Sequence, residues 1–183
     1  LTVARAIIDL LPSEDIIYFG DTSRYPYGPQ PLEEINSYSQ QISDYLIAEH
    51  DVKMIVIACN TASAAAEDDL RNSTEIPIVG VITPGAQAVA EVSSTKKIGV
   101  IGTVGTINSQ AYENAIKGIS PENIELVSVA CPGFVEFVER GEFEGEQVRI
   151  LANRLLAPVI QADVDALLLG CTHYPYLARA IGE

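Results

Sequence analysis

Short unbroken apolar runs alternate along the chain with stretches in which apolar residues recur every three to four positions. The runs Asp15–Phe19, Met54–Ala58, Ile76–Ile82, Lys97–Ile101, Ile124–Ala130 and Asp165–Leu169 read as strands. Most are continuously apolar, as expected of parallel strands covered on both faces by helices. Helical spacing marks Thr2–Leu11, Leu32–His50, Ala62–Arg71, Gly85–Val92, Ile107–Lys117, Phe134–Arg140 and Gly145–Ile160. In the second of these, Ile35, Tyr38, Ile42, Tyr45 and Leu46 form the apolar stripe. Pro12 and Pro31 mark helix boundaries. The pattern predicts an α/β protein with mostly parallel sheets. Thr83-Pro84-Gly85 is the expected hinge, dividing the chain into a first lobe, 1–82, and a second lobe, 83–183.

Composition narrows the class. The 183 residues, 48% hydrophobic, suffice for one substantial core or two small lobes. A net charge of −14 argues against a nucleic-acid partner, which needs clustered Lys and Arg. It does not exclude an anionic substrate, because backbone amides and dipoles set a site's own field. Three cysteines are too few for a disulfide framework. No secretory signal is evident, and the apolar runs are too short for a membrane span. The expectation is a cytoplasmic protein with reduced thiols. Leu1 to Ile8 already read as the interior of a helix with no initiator Met, and Tyr176 to Glu183 start a helix and stop. The chain therefore reads as part of a longer polypeptide.

Two cysteines sit in echoing contexts. Cys59 follows Met54-Ile55-Val56-Ile57-Ala58 and precedes Asn60-Thr61; Cys171 follows Ala166-Leu167-Leu168-Leu169-Gly170 and precedes Thr172-His173. Each is a thiol at the carboxyl end of an expected strand, the edge where open α/β proteins bind ligands. Amides opening the next helix favour a thiolate. A free cysteine elsewhere is usually inert packing, and Cys131, before Pro132-Gly133, reads that way. His173 is placed to exchange protons with a thiol or substrate, whereas His50 ends a long helix. A metal centre needs three or four ligands, and no close CxxC or HExxH is present. Gly99 to Gly105 lacks GxGxxG spacing; it reads as a tight βα turn, its amides and Thr103 or Thr106 hydroxyls placed to hold an anion or simply to shape the turn. The loop Gly20 to Pro29 is dense in polar, aromatic, Pro and Gly residues and reads as site lining, with Arg24 placed to pair with a carboxylate or simply with Asp21. Glu136, Glu139, Glu142, Glu144 and Glu146 read as a solvated face.

Taken together, Gly20-Asp21-Thr22 through Tyr27-Gly28-Pro29, Ala58-Cys59-Asn60-Thr61-Ala62, Gly80-Val81-Ile82-Thr83-Pro84-Gly85, Ile98-Gly99-Val100-Ile101-Gly102-Thr103, Cys131-Pro132 and Leu169-Gly170-Cys171-Thr172-His173-Tyr174-Pro175 closely resemble the glutamate racemases of the aspartate/glutamate racemase family. The resemblance implies two pseudo-symmetric α/β lobes with the site in the cleft between them. It implies interconversion of L- and D-glutamate without cofactor or metal, supplying peptidoglycan, in a cytoplasmic homodimer. Cys59 and Cys171 would be the opposed catalytic thiols. His173 would assist Cys171, with Glu139 nearby, and Tyr27, Gly28, Asn60, Thr61 and Thr172 would contact substrate. Two departures stand out. Family chains carry an Asp-Ser-Gly segment before the helix that here begins at Thr2, and they continue past Glu183 to complete the first lobe. A related aspartate racemase or decarboxylase, an inactive α/β binding protein and a thiol redox or metal module are the alternatives.

Overall fold

The fold is seen in a computed structural model that describes residues 2–119 and 124–182. Its elements run α1 (Thr2–Leu10), α2 (Leu32–His50), β1 (Ile55–Ile57), α3 (Asn60–Ser73), β2 (Ile78–Gly80), α4 (Ile82–Val92), β3 (Lys97–Gly102), α5 (Val104–Asn108), α6 (Ala111–Ile119), β4 (Glu125–Ala130), α7 (Phe134–Glu139), α8 (Glu146–Gln161), β5 (Ala166–Gly170), a 3-10 turn (Tyr174–Leu177) and α9 (Ala178–Gly182). Leu1 and Glu183, the ends of the two expected terminal helices, lie outside the described residues.

Two parallel sheets organise the chain. β1 pairs with β2, Ile55 opposite Ile78 and Ile57 opposite Gly80. The second sheet has the order β4-β3-β5, with Gly102 opposite both Ala130 and Gly170. Parallel strands need helical crossovers, and those helices bury both faces. Central β3 shows the result: Ile98, Val100 and Ile101 are fully buried. One core joins β1, β2, α2 and α3 through Ile35, Ile57, Ala66, Leu70 and Ile78. On the second sheet, α4 and α6 cover one side through Ala86, Val89, Tyr112 and Ile116. A third cluster unites Phe134, Val148, Leu156, Cys171, Tyr174 and Leu177. No helix among the described residues is long and apolar enough to cross a membrane.

Four expectations need correction. Asp15–Phe19 lies outside both sheets, with Ile16, Ile17, Tyr18 and Phe19 exposed; an apolar run becomes a strand only where a neighbour takes its hydrogen bonds. The buried stripe of α2 is Ile35, Ser39, Ser43 and Leu46, rotated from the one expected. Small serines let α2 lie close to the alanine-rich face of α3, and Ser39 Oγ donates to the Ile35 carbonyl at 2.8 Å. Thr83-Pro84-Gly85 is not a linker but the first turn of α4, where proline's missing N–H costs nothing. The helix expected over Ile107–Lys117 is two helices, α5 and α6, broken at Ser109-Gln110, where Gln110 takes a left-handed φ of 57°.

Candidate active site

Cys59 occupies the position before α3, separated from the end of β1 by Ala58, and Cys171 directly follows β5. The local geometry repeats. The amides of Thr61 and Ala62, two and three residues on, favour a Cys59 thiolate, as does the Thr61 hydroxyl, although none closes a capping hydrogen bond to the sulfur. At Cys171 the amides of His173 and Tyr174, again two and three residues on, do the same. Burial acts against both anions. It raises Cys59, half-buried, and pushes Cys171, 7% exposed, up to about 12. A charge on Cys59 raises Cys171 further, so the two thiols are electrostatic neighbours. Cys131 differs. It is buried, pushed up to about 12 by burial alone, and packs in the third core cluster.

The Cys171 side carries an acid–base chain. Cys171 Sγ lies 3.8 Å from His173 Nδ1, and His173 Nε2 lies 2.7 Å from Glu139 Oε1 at the end of α7. An Nε2–H donated to Glu139 leaves the Nδ1 lone pair toward the thiol. Tyr174 anchors this turn, its ring edge-on to Phe134 at 5.2 Å and its hydroxyl donating to the Cys131 carbonyl at 3.1 Å. Thr172 lines a surface hollow together with Glu139 and His173.

The polar loop 20–30 closes the site from the other side. Tyr27 donates to Asp21 at 2.6 Å, and Arg24 pairs with the same carboxylate at 2.5 Å. Burial opposes ionisation of Asp21, but the Tyr27 hydrogen bond and Arg24 outweigh it, and its carboxyl is held below the usual range. Tyr27 is raised by burial and by Asp21, and it senses Cys59. The Gly28 carbonyl accepts from the Gly105 amide at 2.8 Å. A Cβ on Gly28 would stand 2.8 Å from that of Thr103, so only glycine permits this approach. The hydroxyls of Thr103 and Thr106 bond to each other at 3.0 Å and to Thr61 at 3.0 and 3.1 Å. Thr103 also accepts the Thr106 amide as the cap of α5. The Thr103 and Thr106 hydroxyls are spent within this cluster rather than presented to an anion.

Tyr27, Gly28, Cys59, Asn60 and Thr61 thus gather on one side of the seam, with Glu139, Cys171, Thr172 and His173 on the other. Two tyrosines bridge it. The Tyr25 ring lies 6.3 Å from that of His173, and its hydroxyl feels the charge of Glu139. Burial, then Glu139, pushes Tyr25 up to about 12. From α6, Tyr112 donates to Asn60 Oδ1 at 2.5 Å. The sequence offered little sign of Tyr112, because with Ile116 one turn on it reads as an ordinary core position.

Parallel sheets in two lobes, each with a thiol on its carboxyl edge and both thiols at one seam, define an α/β protein built for chemistry between lobes. The chain belongs to the Asp/Glu/hydantoin racemase family, whose model matches residues 2–183. It is 50% identical over 183 residues to a glutamate racemase of Geobacter metallireducens, covering 100% of this chain and 67% of that one. Among solved structures it is similar to a glutamate racemase of Bacillus anthracis, with a TM-score of 0.94, 43% identity, and 98% and 67% of the two chains covered. It is also similar to one from Francisella tularensis in complex with D-glutamate, with a TM-score of 0.92, 40% identity, and 99% and 67% covered. The chain spans about two thirds of the length of the relatives it matches.

Proposed function

We propose that this chain interconverts L- and D-glutamate without a cofactor, Cys59 and Cys171 serving as the two proton carriers. The observation that carries the reading is the repeated geometry of the two thiols, each facing the amides two and three residues on, with Cys171 sensing the charge of Cys59 across the seam. Inversion at carbon must take a proton from one face and return one to the other. Two groups on opposite faces do this without the substrate turning over. In each direction one cysteine is the thiolate base and the other the thiol acid. Burial keeps both thiols neutral in the free protein, so the anion must form as substrate binds. A substrate ammonium beside the sulfur favours it, and the amides of the following turn hold it. His173, oriented by Glu139, takes and returns the proton of Cys171. Donors from Asn60, Thr61 and Thr172 bind the α-carboxylate, where charge accumulates as the proton leaves. Tyr27 and Gly28 wall the substrate from water. The product would supply peptidoglycan synthesis, and the assembly would be a homodimer, which sedimentation tests.

Incubation with L-glutamate, D-glutamate and L-aspartate in D₂O, followed by NMR of the α-proton, tests the reaction. Both glutamate enantiomers should exchange and invert, and aspartate should remain inert. Cys59→Ser and Cys171→Ser should each lower racemisation about 10³-fold or more. Near-normal turnover in either variant overturns the two-thiol assignment.

A further inference from the structure

Tyr112 touches the chain beside both candidate thiols. Its ring sits in a slot between two glycines: a Cβ on Gly85 of α4 would stand 3.2 Å from ring atom Cε1 and from the hydroxyl. A Cβ on Gly170, immediately before Cys171, would stand 3.0 Å from Cε2. The hydroxyl reaches the neighbour of the other thiol, donating to Asn60 Oδ1 at 2.5 Å with both side chains buried. Burial, reinforced by the charge of Cys171, raises the phenol, so it stays protonated and remains a donor. Among the described residues, no hydrogen bond engages the Asn60 Nδ2–H₂ group, which is not sealed from the surface either.

We propose that Tyr112 is the positioning residue of this site, a strut between the two cysteine turns that locks the Asn60 amide with its Nδ2–H₂ group free to donate to the α-carboxylate of an amino-acid substrate. The proposal rests on the racemase reading given above. The physical argument is one of preorganisation. An asparagine amide that can flip presents an oxygen or a nitrogen to the substrate with little preference. A buried phenol donor that takes the oxygen leaves only the N–H₂ for the ligand. A donor held at the place where negative charge develops need not reorganise during the reaction. The same ring, packed on Gly170 and reaching Asn60, fixes the distance from one turn to the other. Gly85 is the sequence mark of this role, since a side chain there would meet the ring first, whereas one at Gly170 would meet the Ile101 carbonyl at 2.8 Å as well as the ring.

The test is a cycle of Tyr112→Phe, Asn60→Ala and the double variant, read by glutamate racemisation and by thermal unfolding. Tyr112→Phe keeps the ring in its slot and removes only the hydroxyl. We expect kcat to fall about 10-fold or more with KM changed far less, because the interaction strengthens in the transition state. In the Asn60→Ala background the same substitution should change kcat little, because the two groups act as a unit. Full kcat in Tyr112→Phe, or an equal loss with and without Asn60, overturns the proposal. If Tyr112→Phe does not fold, Gly85→Ala carries the test, pressing on the ring and hydroxyl from a helix that accepts alanine. It should lower kcat with KM spared, and an unchanged kcat overturns the strut. If the wild-type chain exchanges no α-proton, the glutamate reading fails by itself. The cycle is then read in Tm, where non-additive losses support the strut and additive losses overturn it.

Discussion

A buried thiol is a poor base until something favours its anion, and the chain holds that problem at single residues. Cys171 and Cys131 are both pushed up to about 12, from near 9, by burial. A thiol held there has about 10³-fold less thiolate at pH 8 than a free cysteine. Only Cys171 has amides and a histidine arranged to reverse this. Iodoacetamide should therefore alkylate both slowly at pH 8, and glutamate should change the rate at Cys171 but not at Cys131. Peptide mass spectrometry reads both sites in one sample. Alkylation of Cys171 at the rate of a free thiol would contradict the burial argument. Much of this was legible in the sequence, because the two cysteines share a strand-end context and His173 sits two residues from one of them. The backbone amides that favour each anion were also expected from the strand-end context, whereas the burial that opposes them depends on packing that no local pattern reveals. Tyr112 was hidden because only its hydroxyl, at the far end of a core ring, does anything polar.

Elements are tied to one another by a few polar clasps, and the strongest of these lies away from the thiols. Asp165, at the entry to β5, accepts from Ser93 Oγ at 2.6 Å, Ser94 N at 2.7 Å, Ser94 Oγ at 2.9 Å and Thr95 N at 2.6 Å. The carboxylate thereby joins the end of α4 to the sheet. The Ser93 hydroxyl and the Thr95 amide hold it well below the usual carboxylate range. A depressed native pKa means stability that is present above the unfolded value, near 3.8, and lost as pH falls toward the native one. Asp165→Asn should lower Tm at pH 7, and its deficit against wild type should shrink as both proteins are taken below about pH 4. A deficit independent of pH, followed by circular dichroism, would show that the clasp does not depend on charge. Sequence periodicity located most helices and five of the six strands near their observed places. It failed where an element depends on a neighbour: Asp15–Phe19 has the composition of a strand but no pairing partner among the described residues, and the serine face of α2 is buried because α3 comes close.

Across the whole molecule, the polar contacts among the described residues that join the two lobes gather near the thiols. Thr61 joins Thr103 and Thr106, Gly28 joins Gly105, Tyr112 joins Asn60, and Tyr25 reaches Glu139. A seam with its polar groups paired this way unfolds together with the cores beside it, because breaking the bonds among Asn60, Thr61, Thr103, Thr106 and Tyr112 leaves buried groups without partners. Proton binding to the folded chain then acts on the whole structure. Cys131 and Cys171 are held up to about 12 chiefly by burial, and Tyr27, Tyr112 and Tyr174 are raised as well. In the unfolded chain the thiols ionise near 9. Between about pH 9 and 12 the unfolded state therefore holds fewer protons than the native one, and stability falls as pH rises. A single unfolding transition should move steadily to lower temperature across that interval. Cys131→Ala, which removes one such group from the core, should lower Tm at pH 8 by leaving a small cavity, and should flatten the decline above pH 9. Calorimetry of both proteins from pH 7 to 11 decides the matter: parallel alkaline slopes would mean that Cys131 does not hold its proton through folding, and two separate transitions would mean that the seam does not join the lobes.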